Sequence, residues 1–291
     1  MNWQEFKTRV PGKWVLAGEH SVLKGATAVA VPHFEVGLTL RYEPGHASAS
    51  RGSQTLVITP DSAQSLLGEL LGAIASLWAE NGKEFRFPRG KLEIDSTIPI
   101  GAGLGSSAAV CVALTEWLSG PLQLASSQKM GFATRLENHF HGKSSGMDVA
   151  AISSGEPILF SMNEGIRSLG IKKLPRFTIH DTGLRSRTSE CVQKVEAFRE
   201  NAPALGIYVD ELMKNASHLA MEGLSEYDHG DSKKGLSLIQ ESMKQSRECF
   251  YSWELVPRKA KDLEEDLLKQ GALAVKLTGA GGGGMVVALW E

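Results

Sequence analysis

The sequence predicts an α+β protein in two domains. Strand-like runs crowd its N-terminal half, helix-length periodic segments crowd its C-terminal half, and the two never settle into the strict βαβ alternation of a doubly wound sheet. At 291 residues the chain is long enough for two ordinary domains with a sizeable core. A soft boundary falls near residues 160–170, giving domains at 1–165 and 166–291. Hydrophobic residues make up 42% and charged residues 22%, a balance that excludes a disordered chain.

Taken in order, Lys13–Ala17 and Thr27–Val31 are short apolar runs that read as strands. Phe34, Val36, Leu38 and Leu40 alternate with Glu35, Gly37, Thr39 and Arg41, the period of a half-buried strand. Asp61–Glu80 reads as a helix, because Leu66, Leu67, Leu70, Ile74 and Leu77 recur every three to four residues and Gly82 offers a stop. Lys91–Asp95 is a further strand. It leads through a glycine-rich turn, Gly101–Gly105, into a helix expected to begin near Ser106 and stop at Gly120-Pro121. Helices are then expected over Ser127–Phe140, Thr188–Glu200, Pro203–Glu222, Ser232–Arg247 and Arg258–Gln270, with a short one at Asp148–Ile152. Strands are expected at Phe177–Asp181, Leu273–Leu277 and Met285–Leu289.

Charge and cysteine content narrow the class of function. Lys plus Arg is 31 and Asp plus Glu is 33, a net charge of −2, so no global positive field draws nucleic acid or an anionic membrane. Cys111, Cys191 and Cys249 are odd in number, far apart and not in metal-ligand spacing, which points to a reducing, cytoplasmic setting. The opening MNWQEFKTRV lacks the apolar core of a signal peptide, and no apolar run reaches the ~18 residues of a membrane span.

Three segments carry chemistry. The first is Ile98–Ala109, IPIGAGLGSSAA, which joins a strand to a helix through three glycines and two serines. Glycine lets backbone approach a ligand, and the free N–H groups of a first helical turn attract anions. Ser106 and Ser107 could cap the helix or touch a phosphate or its metal; a tight turn with a serine cap is the plainer alternative. No Lys follows the last glycine as in a Walker A loop, and Ser106 stands where a dinucleotide fingerprint needs its third glycine. The second segment is Lys276–Met285, KLTGAGGGGM, a strand-to-strand loop. Four consecutive glycines cost backbone entropy, so packing alone is a weak reason for them and a loop pressed on a phosphate or an active-site wall is favoured. The third is Pro11–Gly25, PGKWVLAGEHSVLKG. Singly, Lys13 could be a solvated lysine, Glu19 a surface charge and His20 a satisfied core histidine.

Together and in this order, the three segments resemble the signature motifs of the GHMP small-molecule kinases, and within them those of the mevalonate kinases. Glu137–Asp148, ENHFHGKSSGMD, is similar to a further pattern of that family, E-x-x-x-H-G-x-P-S-G-x-D, through Glu137, His141, Gly142, Ser145, Gly146 and Asp148. Ser144 departs from it where the pattern has Pro. Asp181-Thr182-Gly183, followed by Thr188 and Glu190, resembles another stretch of the mevalonate kinases.

The resemblance implies a two-domain GHMP-kinase-like fold with its active site in the cleft between an N-terminal nucleotide-binding domain and a C-terminal domain. It implies transfer of the ATP γ-phosphoryl group to a small alcohol, mevalonate first among the candidates, with Mg²⁺ as cofactor. Gly101, Ala102, Gly103, Leu104, Gly105, Ser106 and Ser107 would hold the nucleotide phosphates. Ser107 and Glu137 would bind the metal, with an exposed i,i+4 contact to His141 the alternative for Glu137. Asp148 would accept the alcohol proton, or else only cap its helix, and Lys13 would neutralise the γ-phosphoryl group and pair with Asp148. Glu19, His20 and Thr188 would face the substrate, and Gly279, Ala280, Gly281 and Gly282 would close the site. The partners implied are the alcohol and ATP, with no nucleic acid or membrane; a homodimer stays open. Phosphomevalonate kinase is the nearest competitor, since Lys143, Arg185, Arg187 and Lys194 could serve a phosphorylated substrate. A diphosphomevalonate decarboxylase fits less well, because the PGK lysine is intact. A non-catalytic sensor of the same superfamily fits less well because Lys13, Glu137 and Asp148 are all present.

Overall fold

A computed structural model describes residues 3–45, 56–79, 87–141 and 144–291. Glu80 and Gly82, at the expected end of the first helix, and Gly142 and Lys143 lie outside the described residues. Two compact units emerge, and neither is a single stretch of chain. One comprises Met1–Gly12, Phe34–Ile98 and Ser106–Ser153; the other comprises Lys13–His33, Pro99–Gly105 and Ser154–Glu291. Two long strands, β1 (Phe6–Ala17) and β2 (Ala28–Pro44), run from one unit into the other.

In the first unit, the second half of β2 pairs antiparallel with β4 (Gly90–Ser96), which pairs parallel with β3 (Leu56–Thr59). The alternation seen in the sequence sets the register: Leu38, Leu40 and Tyr42 are buried with Leu92, while Arg41 and Glu43 are exposed. Helix α1 (Gln64–Ala79) buries Leu67, Leu70 and Ile74 of the expected stripe and also Leu71, while the Leu66 and Leu77 side chains lie outside those described. Helix α2 (Ser106–Leu122) is apolar on nearly all sides and sits in the core, against α3 (Ser126–His141). Trp117 packs at a tilt against Trp3 and Tyr42, each ring centre 5.2 Å away. A short helix α4 (Met147–Ser154) follows.

In the second unit a three-stranded antiparallel sheet has the order β7 (Phe177–Asp181), β9 (Met285–Leu289), β8 (Ala274–Thr278). Every residue of β8 and β9 is buried. Helices α5 (Thr188–Asn201), α6 (Pro203–Asp228), α7 (Ser232–Ser252) and α8 (Arg258–Lys269) complete it. Helices α6 and α7 cross closely, because a Cβ on Gly235 would come within 2.6 Å of the Tyr227 nitrogen. The first residues of β2 pair with β5 (Ile158–Ser161), and β5 with β6 (Gly165–Ser168).

Several expectations need correction. The strand read at Lys13–Ala17 begins already at Phe6. The runs at Thr27–Val31 and Phe34–Arg41 are one strand, β2, which passes through Pro32. Helix α2 does not stop at Gly120-Pro121 but continues to Leu122. It ends where Gln123 turns left-handed at φ 53° and the Leu124 N–H bonds back to the Ser119 carbonyl. Helices α6 and α7 extend past Glu222 and Arg247 to Asp228 and Ser252.

Candidate functional site

The second unit gathers most of the sequence-predicted residues around the end of β1. The run KWVLA is buried from Lys13 to Ala17, and Lys13 itself is 2% exposed, which removes the solvated-lysine alternative. A buried ammonium needs acceptors. The Lys13 Nζ donates to the Gly103 carbonyl at 3.0 Å, and the Lys13 N–H donates to the Leu104 carbonyl at 3.0 Å. Lysine and glycine-rich turn are therefore one structure. Within the turn, Gly101, Gly103 and Gly105 take φ of +69°, +81° and +76°, while Ala102 and Leu104 tuck inward at 1% and 2% exposure. Only glycine adopts that alternation cheaply.

The C-terminal glycine loop lies against the same turn. A Cβ on Gly103 would stand 3.0 Å from the Thr278 carbonyl, and one on Gly284 would stand 2.7 Å from the Ala102 carbonyl. Gly281 meets Phe250 and Leu255, Gly282 meets Ser186 and Cys191, and Gly283 meets Leu184, all too closely for a side chain. All three also have positive φ. The sequence argument that packing is a weak reason for this run is thus corrected: each of these glycines has a steric and a conformational reason within the protein.

Glu19 and His20 occupy the turn after β1, and neither is a surface residue. Gly18, at φ +102°, presses on Ala28 and donates its N–H to the Met213 sulfur of α6 at 3.2 Å, which seats the turn. Glu19 is 3% exposed and pairs with Lys276 of β8 at 2.5 Å. Burial raises the Glu19 carboxyl above its ordinary value and lowers the Lys276 ammonium below its own. Among the described residues, Glu19 Oε2 has no hydrogen-bond partner. His20, at φ 59°, donates from Nε2 to the Ala280 carbonyl at 2.9 Å, with its ring edge-on to Trp253 and Phe250. Burial lowers its pKa to about 4, so the ring is neutral at pH 7 with Nδ1 as its acceptor. A hydrogen-bonded core histidine, the plainer alternative, describes it well. Thr188 opens α5 and is exposed.

The first unit holds the other candidates. Ser106 and Ser107 are the first two residues of α2, inside its first turn, so neither occupies the capping position before it. Glu137 on α3 is 2% exposed, which rules out an exposed-face contact as its reason for being there. Its Oε2 accepts from the Ser144 hydroxyl at 2.5 Å. Asp148 lies in the first turn of α4, within the helix and not at its cap, where the helix dipole favours a negative charge.

Two of the cations that could select a phosphorylated substrate, Arg185 and Lys194, have internal acceptors. Arg185 makes two 2.7 Å bonds to the Asp181 carboxylate and donates to the Ile100 carbonyl at 3.2 Å. Lys194 donates to the Glu254 carbonyl at 2.9 Å. Arg187 extends toward Glu190 on the exposed face. Sequence reasoning missed Lys276 and Ser144 as partners. A lysine inside the apolar run AVKL was a signal for the first, and the departure from Pro was a signal for the second.

Two family models match the chain: "GHMP kinases N terminal domain" over residues 69–156 and "GHMP kinases C terminal" over residues 220–291. The chain belongs to the GHMP kinase family. It is an ATP-dependent small-molecule kinase. A mevalonate kinase of Thermococcus sibiricus is 30% identical over 96% of this chain and 87% of its own length. The solved mevalonate kinase of Methanococcus jannaschii superposes with a TM-score of 0.76 at 18% identity, covering 99% of this chain and 91% of that one. The L. major mevalonate kinase in complex with R-mevalonate gives 0.75 at 22% identity, over 98% and 86%. These two structures establish the shared fold.

Proposed function

We propose that this GHMP kinase transfers the γ-phosphoryl group of ATP to the alcohol of mevalonate, forming 5-phosphomevalonate and ADP. The observation that carries the proposal is the burial of Lys13 with its ammonium on the glycine turn, where a positive charge would meet a bound phosphate. The naming of the relatives supports mevalonate as acceptor. So does the occupation of Arg185 and Lys194 by internal acceptors, since a phosphorylated acceptor needs cations of its own.

Phosphoryl transfer depends on positioning and charge neutralisation. The backbone of Gly101–Gly105 and the first turn of α2, with Ser106 and Ser107, would hold the nucleotide phosphates. The substrate oxygen attacks the γ-phosphorus, its proton passes to the Asp148 carboxylate, and the bond from that phosphorus to the β-phosphate oxygen breaks, releasing ADP. Lys13 balances charge on the group in transit. A loose transition state need not lose the proton early, so an ionised aspartate suffices as the acceptor. Glu19 Oε2, buried and without a donor among the described residues, and His20 Nδ1 are set to accept hydrogen bonds from substrate. Thr188 is a further substrate-side residue. Gly279, Ala280, Gly281 and Gly282 would wall the site.

Among the described residues no group of three His, Cys, Asp or Glu side chains could hold a metal ion unaided. The donors present, the Glu137 carboxylate and the Ser107 hydroxyl, are hard oxygens of the kind Mg²⁺ takes alongside nucleotide phosphates, and the deep burial of Glu137 fits a carboxylate meant for a cation. Bound there, Mg²⁺ would supply neutralisation of phosphate charge. The three cysteines are free and buried, which supports a cytoplasmic setting.

The test is an acceptor panel of mevalonate, phosphomevalonate and galactose, scored by ADP release and by the mass of the product. Phosphorylation of mevalonate alone is expected. Preference for phosphomevalonate would move the enzyme one step along the acceptor series. ATP consumption with no acceptor phosphorylated would overturn the proposal.

A further inference from the structure

Ser144 stands where the resembled E-x-x-x-H-G-x-P-S-G-x-D pattern carries proline. It makes three hydrogen bonds. Its hydroxyl donates to Glu137 Oε2 at 2.5 Å, and the same oxygen accepts from the Gly146 N–H at 3.0 Å. Its backbone N–H donates to the Asn138 side-chain oxygen at 2.7 Å. Proline has neither a hydroxyl nor an N–H and could make none of them. A proline stiffens this connection through its ring. In this chain a side chain ties α3, which carries Glu137 and Asn138, to the turn at Gly146 that opens α4. That turn is itself held, since Gly146 takes φ +80° against Thr134 of α3.

Resting on the reading of Glu137 as a metal ligand, we infer that Ser144 is a positioning residue for the Glu137 carboxylate. It fixes the orientation in which that carboxylate meets a divalent cation, and it links that orientation to the helix bearing Asp148. Carboxylates that bind metals are held by such outer hydrogen bonds, and loss of one costs on the order of 10–100-fold in metal affinity. The Ser144 hydrogen bond narrows the orientations open to that buried carboxylate before a cation arrives. The hydroxyl performs that ordering in advance.

The experiment titrates the full-length protein calorimetrically with a non-hydrolysable ATP analogue, in Mg²⁺ and again in EDTA. The quantity read is the factor by which Mg²⁺ tightens nucleotide binding. In Ser144→Ala this factor should fall roughly tenfold while the affinity in EDTA stays at the wild-type value. Ser144→Thr, which keeps a hydroxyl, should restore it. Equal weakening in both buffers would mean a merely structural residue and would overturn the inference. So would an unchanged factor in Ser144→Ala beside a lost one in Glu137→Gln, and the metal role of Glu137 would then survive. An unchanged factor in both variants would remove the metal role and the inference together. If Ser144→Ala does not fold, Ser144→Cys, a weaker donor of similar volume, is judged by the same factor.

Discussion

The Lys276 ammonium lies 2.5 Å from Glu19 Oε1, with the lysine fully buried and the glutamate 3% exposed. Lys276 also donates to the Val15 carbonyl at 3.1 Å and sits 5.4 Å from the Phe250 ring centre. The pair joins the turn after β1 to the strand that leads into the C-terminal glycine loop. Thr278, two residues on, pins Val15 again by accepting from its N–H at 2.8 Å and donating to its carbonyl at 3.0 Å. The first and last motifs of the sequence are therefore fastened to each other by side chains of one strand.

Removing one partner of a buried pair leaves the other charge uncompensated, at a cost of about 3–5 kcal/mol. Lys276→Met should lower the unfolding free energy by about that amount in urea titrations. The double variant Lys276→Met with Glu19→Gln should recover part of it, because no charge is then stranded. If the single and double variants are equally unstable, packing and not charge explains the pair.

His20 makes stability depend on pH. Its folded pKa lies near 4 because burial disfavours the imidazolium, against 6.5 for the unfolded chain. Between those values the unfolded state binds the extra proton, so the unfolding free energy falls as pH drops from about 6.5 toward about 4. Below that window both states are protonated and the effect is complete, at about 3 kcal/mol for this group. Above it both are neutral and His20 contributes no slope. Denaturant midpoints measured from pH 7 to pH 4 should show a steeper loss in the wild type than in His20→Gln, which cannot titrate. Parallel curves would mean that His20 is charged in the folded protein or is solvated.

How much was legible beforehand depends on the range of the interaction. Strands β7 and β9 and the starts of α5 to α8 were readable because they follow from local periodicity and caps. The hairpin of β5 and β6 was not, because Ile158–Ser161 is too short a run to show any period. The unity of β2 was hidden by Pro32, which marks a break by local rules; the pairing of β2 on both sides carries the strand past it. Lys13, Glu19, Glu137 and Asp148 could be singled out as chemistry-bearing by motif. Their burial and partners could not, since Glu19 and Lys276 are 257 positions apart and Glu137 meets Ser144 of another segment, 7 positions on.

The glycine loop allows a test that separates strain from contact. Gly284 has φ +78° and its added Cβ would stand 2.7 Å from the Ala102 carbonyl, a backbone atom that cannot swing away. Gly155 has a similar φ of +65°, and its added Cβ would have nothing within 4 Å among the described residues. Gly155→Ala should therefore cost only the left-handed penalty of roughly 1–2 kcal/mol. Gly284→Ala should cost a further 1–3 kcal/mol, roughly the penalty of overpacking. It should also weaken ATP binding by displacing Ala102 in the phosphate turn, whereas Gly155→Ala should leave ATP affinity unchanged. Calorimetric ATP titration of both variants checks this, and equal affinities would separate the two loops functionally.

Asp148→Asn tests the proton acceptor with the least disturbance of shape. The amide is isosteric, cannot take the proton, and weakens the favourable placement of a charge in the first turn of α4, worth about 0.3–1 kcal/mol. The variant should fold and bind nucleotide with nearly wild-type affinity. Its kcat should fall by on the order of 10²–10⁴, the usual contribution of a positioned acid or base. Because the loss concerns the chemical step, single-turnover rates should fall by the same factor as steady-state rates, and KM for ATP should change little. Turnover at the wild-type rate would transfer the proton to solvent or to the phosphate itself, and Asp148 would not be the proton acceptor.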